Sequence, residues 1–249
     1  MIQTLSGPEL AYCTAVLLFT FTLRGSVGIG GAVGLPLLAL VIPVKVLAPA
    51  WSLIGIVSSA AIIGKDRRYI AWRDFLGLMP GCFLGIAAGL FVFKTFDAVL
   101  LARALGAFVI LYACYSLWLT LRPAGSPPPV PPAALKPAAS FLSGAVGTMF
   151  GAMASIFFAL YLEASHAGKD AFRATISAML LTLSVARAIG YAAVDELTLD
   201  TFILTAAALP AMGIGLLVGD RLHSGLSEQA FKRLMCAALF ICGVPLVMK

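Results

Sequence analysis

The chain has 249 residues, 61% of them apolar and 11% charged, with a mean hydropathy of +1.02 and a net charge of +6. Soluble domains are about half apolar and a quarter charged, so these figures exclude an ordinary soluble fold. A bilayer helix needs about 20 mostly apolar residues, so the length allows roughly eight such segments and leaves no room for a separate catalytic domain.

The first apolar run, Leu10 to Ile42, is too long for one crossing and is interrupted by Arg24-Gly25-Ser26-Val27-Gly28-Ile29-Gly30-Gly31. It reads as a broken hairpin over 9–43, followed by spans at 44–64, 74–94 and 98–121, which together make a first repeat over 1–121. Residues 122–138 contain Pro123, Pro127, Pro128, Pro129, Pro131, Pro132 and Pro137 and are expected to form a semi-rigid polyproline-type cytoplasmic linker. The second repeat, 139–249, starts with a run over 139–163 interrupted by Gly144, Gly147 and Gly151, followed by spans at 171–194, 199–219 and 229–248. The fold class is therefore an all-α polytopic membrane protein.

A constant shift of 130 superposes Met79-Pro80 on Leu209-Pro210, Gly85 on Gly215, Gly89 on Gly219 and Arg103 on Arg233, which points to an internal duplication. Lysines and arginines favour the cytoplasmic side. That rule places the loops bearing Lys65, Arg67, Arg68 and Arg73, Lys169 and Arg173, and Arg221, Lys232 and Arg233 inside. The acidic turn Asp195, Glu196, Asp200 then faces outward. Threading the spans through these positions returns each broken run to the side it entered, as two half-depth helices joined at the glycines. Each half then has a re-entrant hairpin plus three crossings, and because three is odd the halves are inverted.

Broken helices at mid-membrane are how many secondary transporters build a substrate site. The half-helices after Gly28, Gly30 and Gly31 and after Gly147 and Gly151 would point unpaired N–H groups and positive dipole ends at the bilayer centre. That geometry suits a small anion. The competing reading is that such glycines are helix-packing contacts, the better account of Gly85, Gly89, Gly215 and Gly219. All eleven acidic residues lie at run ends or in loops, whereas Arg24 and Arg187 lie within apolar runs, and a substrate's negative charge would be their partner. The alternatives are that Arg187 snorkels outward and that Arg24 satisfies loop carbonyls. Lys45 reads as an interfacial anchor. Ser26, Thr148 and Ser155 near the breaks could complete an oxyanion's coordination, with Ser52 and Thr175 preferred as an equivalent pair after each hairpin. Neither catalytic residues nor metal ligands are expected.

The stretch Gly25-Ser26-Val27-Gly28-Ile29-Gly30-Gly31-Ala32-Val33-Gly34-Leu35-Pro36-Leu37-Leu38, then Ala48 to Ser52, Phe172-Arg173-Ala174-Thr175, Leu209-Pro210 and Gly215-x3-Gly219, resembles the sulfite exporter TauE/SafE family. The resemblance runs over nearly the whole chain. It implies a multi-pass bacterial inner-membrane transporter for sulfite, sulfonates or similar organic anions. The sequence departs from the family pattern at Thr148-Met149-Phe150, where a denser glycine run is usual.

The expected function is secondary transport of a small anion by alternating access, with a carboxylate or other organic-anion permease, or a non-transporting scaffold, as alternatives. A membrane enzyme fits poorly, because His166 and His223 are solitary loop residues and the five cysteines lie in apolar runs with no close pair. The expected partners are a small anionic substrate and the lipid bilayer, with a homodimer compatible with the chain. Nucleic acid is not expected, because the basic residues sit between apolar runs rather than on one aromatic-laced face. No charged leader precedes the first run, so a cleaved signal peptide is not expected. No cofactor is expected, and the sequence does not single out a coupling ion, proton or sodium.

Overall fold

The computed structural model describes residues 6–27, 31–120, 131–165, 168–222, 239–240 and 242–248. Its helices are α1 (Gly7–Val27), α2 (Gly31–Ala39), α3 (Val44–Asp66), α4 (Trp72–Thr95), α5 (Ala98–Thr120), α6 (Pro132–Phe150), α7 (Ala154–Ala164), α8 (Lys169–Ala193) and α9 (Leu199–Leu222). A 3-10 turn at Arg67–Tyr69 joins α3 to α4, and residues 239–240 and 242–248 are also helical. No strand occurs among the described residues. Five helices among them are long and apolar enough to cross a bilayer, at 44–64, 72–95, 98–118, 170–193 and 199–221. The expected last span, 229–248, lies largely outside the described residues.

Both broken runs differ from the expected pairs of half-depth helices. At a rise of about 1.5 Å per residue, the 21 residues of α1 and 19 of α6 reach nearly across a hydrocarbon core, whereas α2 and α7 have 9 and 11. Each run is thus a long arm and a short return arm. The linker is also shorter than 122–138, because α6 starts at Pro132. A proline in the first turn sacrifices no intrahelical bond and its fixed φ suits helix entry, and Ala133, Ala134, Leu135 and Lys136 then propagate the helix.

Contacts between the halves hold the bundle together. Helix α4 packs on α6, α9 on α1, and α3 on α8. Glycines set the first two approaches: a Cβ on Gly85 would meet the Phe141 carbonyl and lie 2.8 Å from the Ala145 nitrogen, and one on Gly215 would lie 2.8 Å from Phe21 Cβ and 3.0 Å from the Leu18 oxygen. These four glycines, Gly85, Gly89, Gly215 and Gly219, therefore bring helix backbones together without side chains between them. Pairing runs in step along α4 and α6, where Gly81 faces Ser140 and Gly89 faces Ala145 and Thr148. It also runs in step along α9 and α1, so both pairs are parallel. Helices α3 and α8 are antiparallel, since Gly55 meets Ser184 while the Ala71 nitrogen beyond α3 donates to Thr175. Outward-facing Leu76, Phe83, Leu84 and Phe91 oppose the buried face of α4 and present it to lipid.

Gly85→Ala should lower stability by about 1–3 kcal/mol through overpacking. Gly213→Ala, with nothing within 4 Å of its new methyl, should leave stability unchanged or raise it by up to ~1 kcal/mol. Thermal unfolding of the two variants in detergent checks the contrast.

Candidate functional site

The second break begins where α6 ends at Gly151, whose φ of +87° is a conformation that L side chains rarely adopt. Space is also tight, because a Cβ there would lie 2.8 Å from both Ala48 Cα and Leu35 Cδ1. A helix that stops inside the protein leaves carbonyls without intrahelical partners, and α8 supplies the missing donors. The guanidinium of Arg187 donates through Nη1 to the Gly147 and Gly151 carbonyls, through Nε to the Leu183 carbonyl at 3.3 Å, and through Nη2 to Ser184 Oγ at 3.2 Å. One turn further on, the Tyr191 hydroxyl donates to the Thr148 carbonyl. Cationic donors at a helix C-terminus also complement its dipole.

Arg24, near the end of α1, is 5% exposed. Its Nη2 donates to Ser59 Oγ on α3 at 2.6 Å, and its buried Nε has no hydrogen-bond partner among the described residues. The two arginines line one small cavity of about 10 Å3, with Trp51 and Gly55 of α3, Ser155 of α7 and Ser184 of α8. Gly151, Ala152 and Leu180 complete its wall. Gly55 lies midway along α3, and Arg24 and Gly151 lie at the ends of α1 and α6, so the cavity sits inside the helix bundle where both breaks meet α3. No carboxylate lines it, and no aspartate or glutamate is buried among the residues whose side chains are described. The first turn of α7 lies beside the cavity, where Ser155 Oγ donates to the Ala152 carbonyl at 3.5 Å and the Ile156 N–H donates to the Met153 carbonyl at 3.2 Å.

Of the residues singled out from the sequence, Arg24, Gly151, Ser155 and Arg187 come together around this cavity. Gly147 and Thr148 do not line it: the Gly147 carbonyl accepts from Arg187, the Thr148 carbonyl accepts from Tyr191, and the Thr148 hydroxyl donates to the Gly144 carbonyl at 2.7 Å. Ser26 is buried and donates to the Leu23 carbonyl at 3.1 Å. Ser52 donates to the Pro49 carbonyl of its own helix at 2.6 Å, and Thr175 accepts from the Ala71 nitrogen at 2.9 Å, so this pair does not meet at the cavity. Gly28 and Gly30 lie outside the described residues, and Gly31 is the first residue of α2. Lys45 is half-buried, lies over the Phe93 ring and pairs with Glu196 at 3.4 Å.

Trp51, Gly55, Leu180 and Ser184 of the lining, and Ser59 and Tyr191 behind it, were not singled out. Ser184 and Tyr191 sit three before and four after Arg187, the spacing of one helix face, and that signal was available. Nothing in the sequence connects Ser59 to an arginine 35 positions earlier.

The family model of the sulfite exporter TauE/SafE family matches residues 13–246. The chain belongs to this family. It is a multi-pass membrane protein of a transporter family, not an enzyme. It is 28% identical over 184 residues, 74% of this chain and 75% of the relative, to the probable inner membrane transporter protein TsaS of Comamonas testosteroni. No solved structure matches the chain. Among the described glycines, Gly151 is the one with a positive φ. Gly151→Ala should cost about 1–3 kcal/mol of stability from strained dihedrals alone. Thermal unfolding against wild type checks this.

Proposed function

We propose that the protein is a secondary transporter of a small anion, a sulfur oxyanion such as sulfite or an organosulfonate, working by alternating access between two inverted halves in a bacterial inner membrane. The observation that carries the reading is the convergence of Arg24 and Arg187 on a buried cavity with no carboxylate in its lining. Intramembrane cations without acidic partners mark substrate paths, and an anion is the species whose charge would compensate them. The family and the name of the Comamonas relative support transport, the sulfur chemistry and the location.

The packing supports the inversion. Parallel contacts of α1 with α9 and of α4 with α6, together with antiparallel α3 and α8, are the pairings that two oppositely oriented halves would make. The 130-residue shift that relates Gly85 and Gly89 to Gly215 and Gly219 relates two equivalent close approaches.

The cavity has about the room of one water molecule, so an oxyanion of several heavy atoms enters only when helices separate. Polar ties lie toward both ends. Lys45 and Glu196 pair at one. At the other, the Tyr161 hydroxyl donates to Asp74 at 2.8 Å and Arg173 donates to Asp220 at 2.9 Å. Releasing one set while the other holds would open the cavity to one side at a time. The Nε–H of Arg24, Ser155 and the first amides of α7 are then the groups that meet the anion, while Arg187 adds charge from behind its carbonyl partners.

Arg24→Ala should reduce uptake of labelled sulfite into proteoliposomes by at least about tenfold, ~1.4 kcal/mol, with the thermal midpoint kept, since it removes a buried charge that makes one recorded hydrogen bond. Arg187→Ala should lower both flux and midpoint, because it also strands the Gly147 and Gly151 carbonyls. Flux of cations with indifference to every anion would overturn the reading.

A further inference from the structure

We propose that the return step carries chloride, so that the protein exchanges its substrate anion for a monatomic halide held between Arg24 and Arg187. The inference rests on the reading of this cavity as the substrate-anion site, and adds what occupies it when the substrate does not.

Charge balance is the first ground. Two arginines line one small cavity without a carboxylate in its lining, and no aspartate or glutamate is buried among the residues whose side chains are described. The adjoining residues 28–30, Gly-Ile-Gly, contain no acid. The partners of Arg187 are three carbonyls and a hydroxyl, and the recorded partner of Arg24 is a hydroxyl. Such dipoles solvate a cation but leave its net charge in place. Sealing uncompensated charge away from water is strongly unfavourable, and one anion would cancel half of it.

The second ground is a donor left over. Arg24 Nε is buried, belongs to a residue lining the cavity, and has no partner among the described residues. A satisfied interior rarely wastes a charged donor.

Size is the third. A cavity of about 10 Å3 accommodates one water-sized particle. A chloride ion is slightly larger than that and needs only a small widening, whereas sulfite and sulfonates need far more. The conformation described is therefore close to that of the returning carrier, and the substrate anion is enclosed in a separate, wider closed form. Both directions of transport must pass through a closed form. If that form is favourable only with an anion inside, net movement of one anion without a counter-anion is suppressed and exchange is the result.

The test uses purified wild-type protein in proteoliposomes loaded with radiolabelled chloride, with potassium and valinomycin on both sides to clamp the potential. Efflux is followed into chloride, sulfite or gluconate. We expect efflux into chloride and into sulfite to be about tenfold or more faster than into gluconate, a barrier difference of ~1.4 kcal/mol. Equal rates into all three media, or no protein-dependent chloride efflux into any, would overturn the exchange. Acceleration by chloride but not sulfite would leave the halide exchange standing and remove sulfite from the proposed function. Saturable sulfite uptake that ignores chloride would do the reverse.

Discussion

The donation of Arg187 and Tyr191 to the end of α6 is the interaction on which the rest of the architecture depends. A bilayer interior offers no water to a broken helix, so its carbonyls need donors from the protein. Here the Gly147, Thr148 and Gly151 carbonyls find them on two successive turns of one neighbouring helix. That bond set pins α8 against the break, keeps the short arm α7 from continuing the line of α6, and brings a positive charge to the cavity. Gly151 makes the reversal sterically accessible through its positive φ. The Tyr191 ring, fixed by its hydroxyl, then packs edge-on against Phe93 with centroids 5.0 Å apart, which carries the constraint across to α4.

Glycine has two unrelated uses in this chain. At Gly151 it supplies a backbone conformation. At Gly85, Gly89, Gly215 and Gly219 the backbone is ordinary helix, and the missing side chain lets two parallel helices touch. The consequences for motion differ as well. Such close contacts, with Ser140 and Thr148 of α6 seated on Gly81 and Gly89 of α4, make α4 with α6 and α9 with α1 natural rigid pairs. Larger buried side chains, including Phe21 stacked on Trp51 at 5.7 Å, lock α1 to α3 beside the cavity.

Much of this was legible in the sequence, and for identifiable reasons. Spans such as Trp72–Thr95 and Leu199–Leu222 were visible because apolar composition over about 20 residues is the strongest single signal a membrane chain carries. The second break was visible as glycines, and the two arginines as charges where none belongs. The unequal arms were not, because a proline-rich stretch reads as a linker until it is known that Pro132 occupies a first turn, where proline is tolerated. The hydroxyls were the least legible, since serine and threonine in a buried helix most often bond to their own backbone. Ser52 and Thr148 do so, whereas Ser59 and Ser184 instead accept from the arginines. Which serine turns outward is decided by what lies opposite, and that is tertiary information.

The two arginines are chemically alike but differently employed. The recorded hydrogen bonds of Arg187 include two to the carbonyls of the break, so its geometry is set by the fold. Arg24 is held through Nη2 by one serine on α3, and its Nε–H has no partner among the described residues. A planar guanidinium with its donors in a fixed fork cannot turn one edge toward a ligand without turning the other. The Ser59 bond therefore orients the remaining edge of Arg24 as well as anchoring the side chain. In this division of labour one cation holds the break in shape and lends its field, while the second, less satisfied cation is left to respond to an anion.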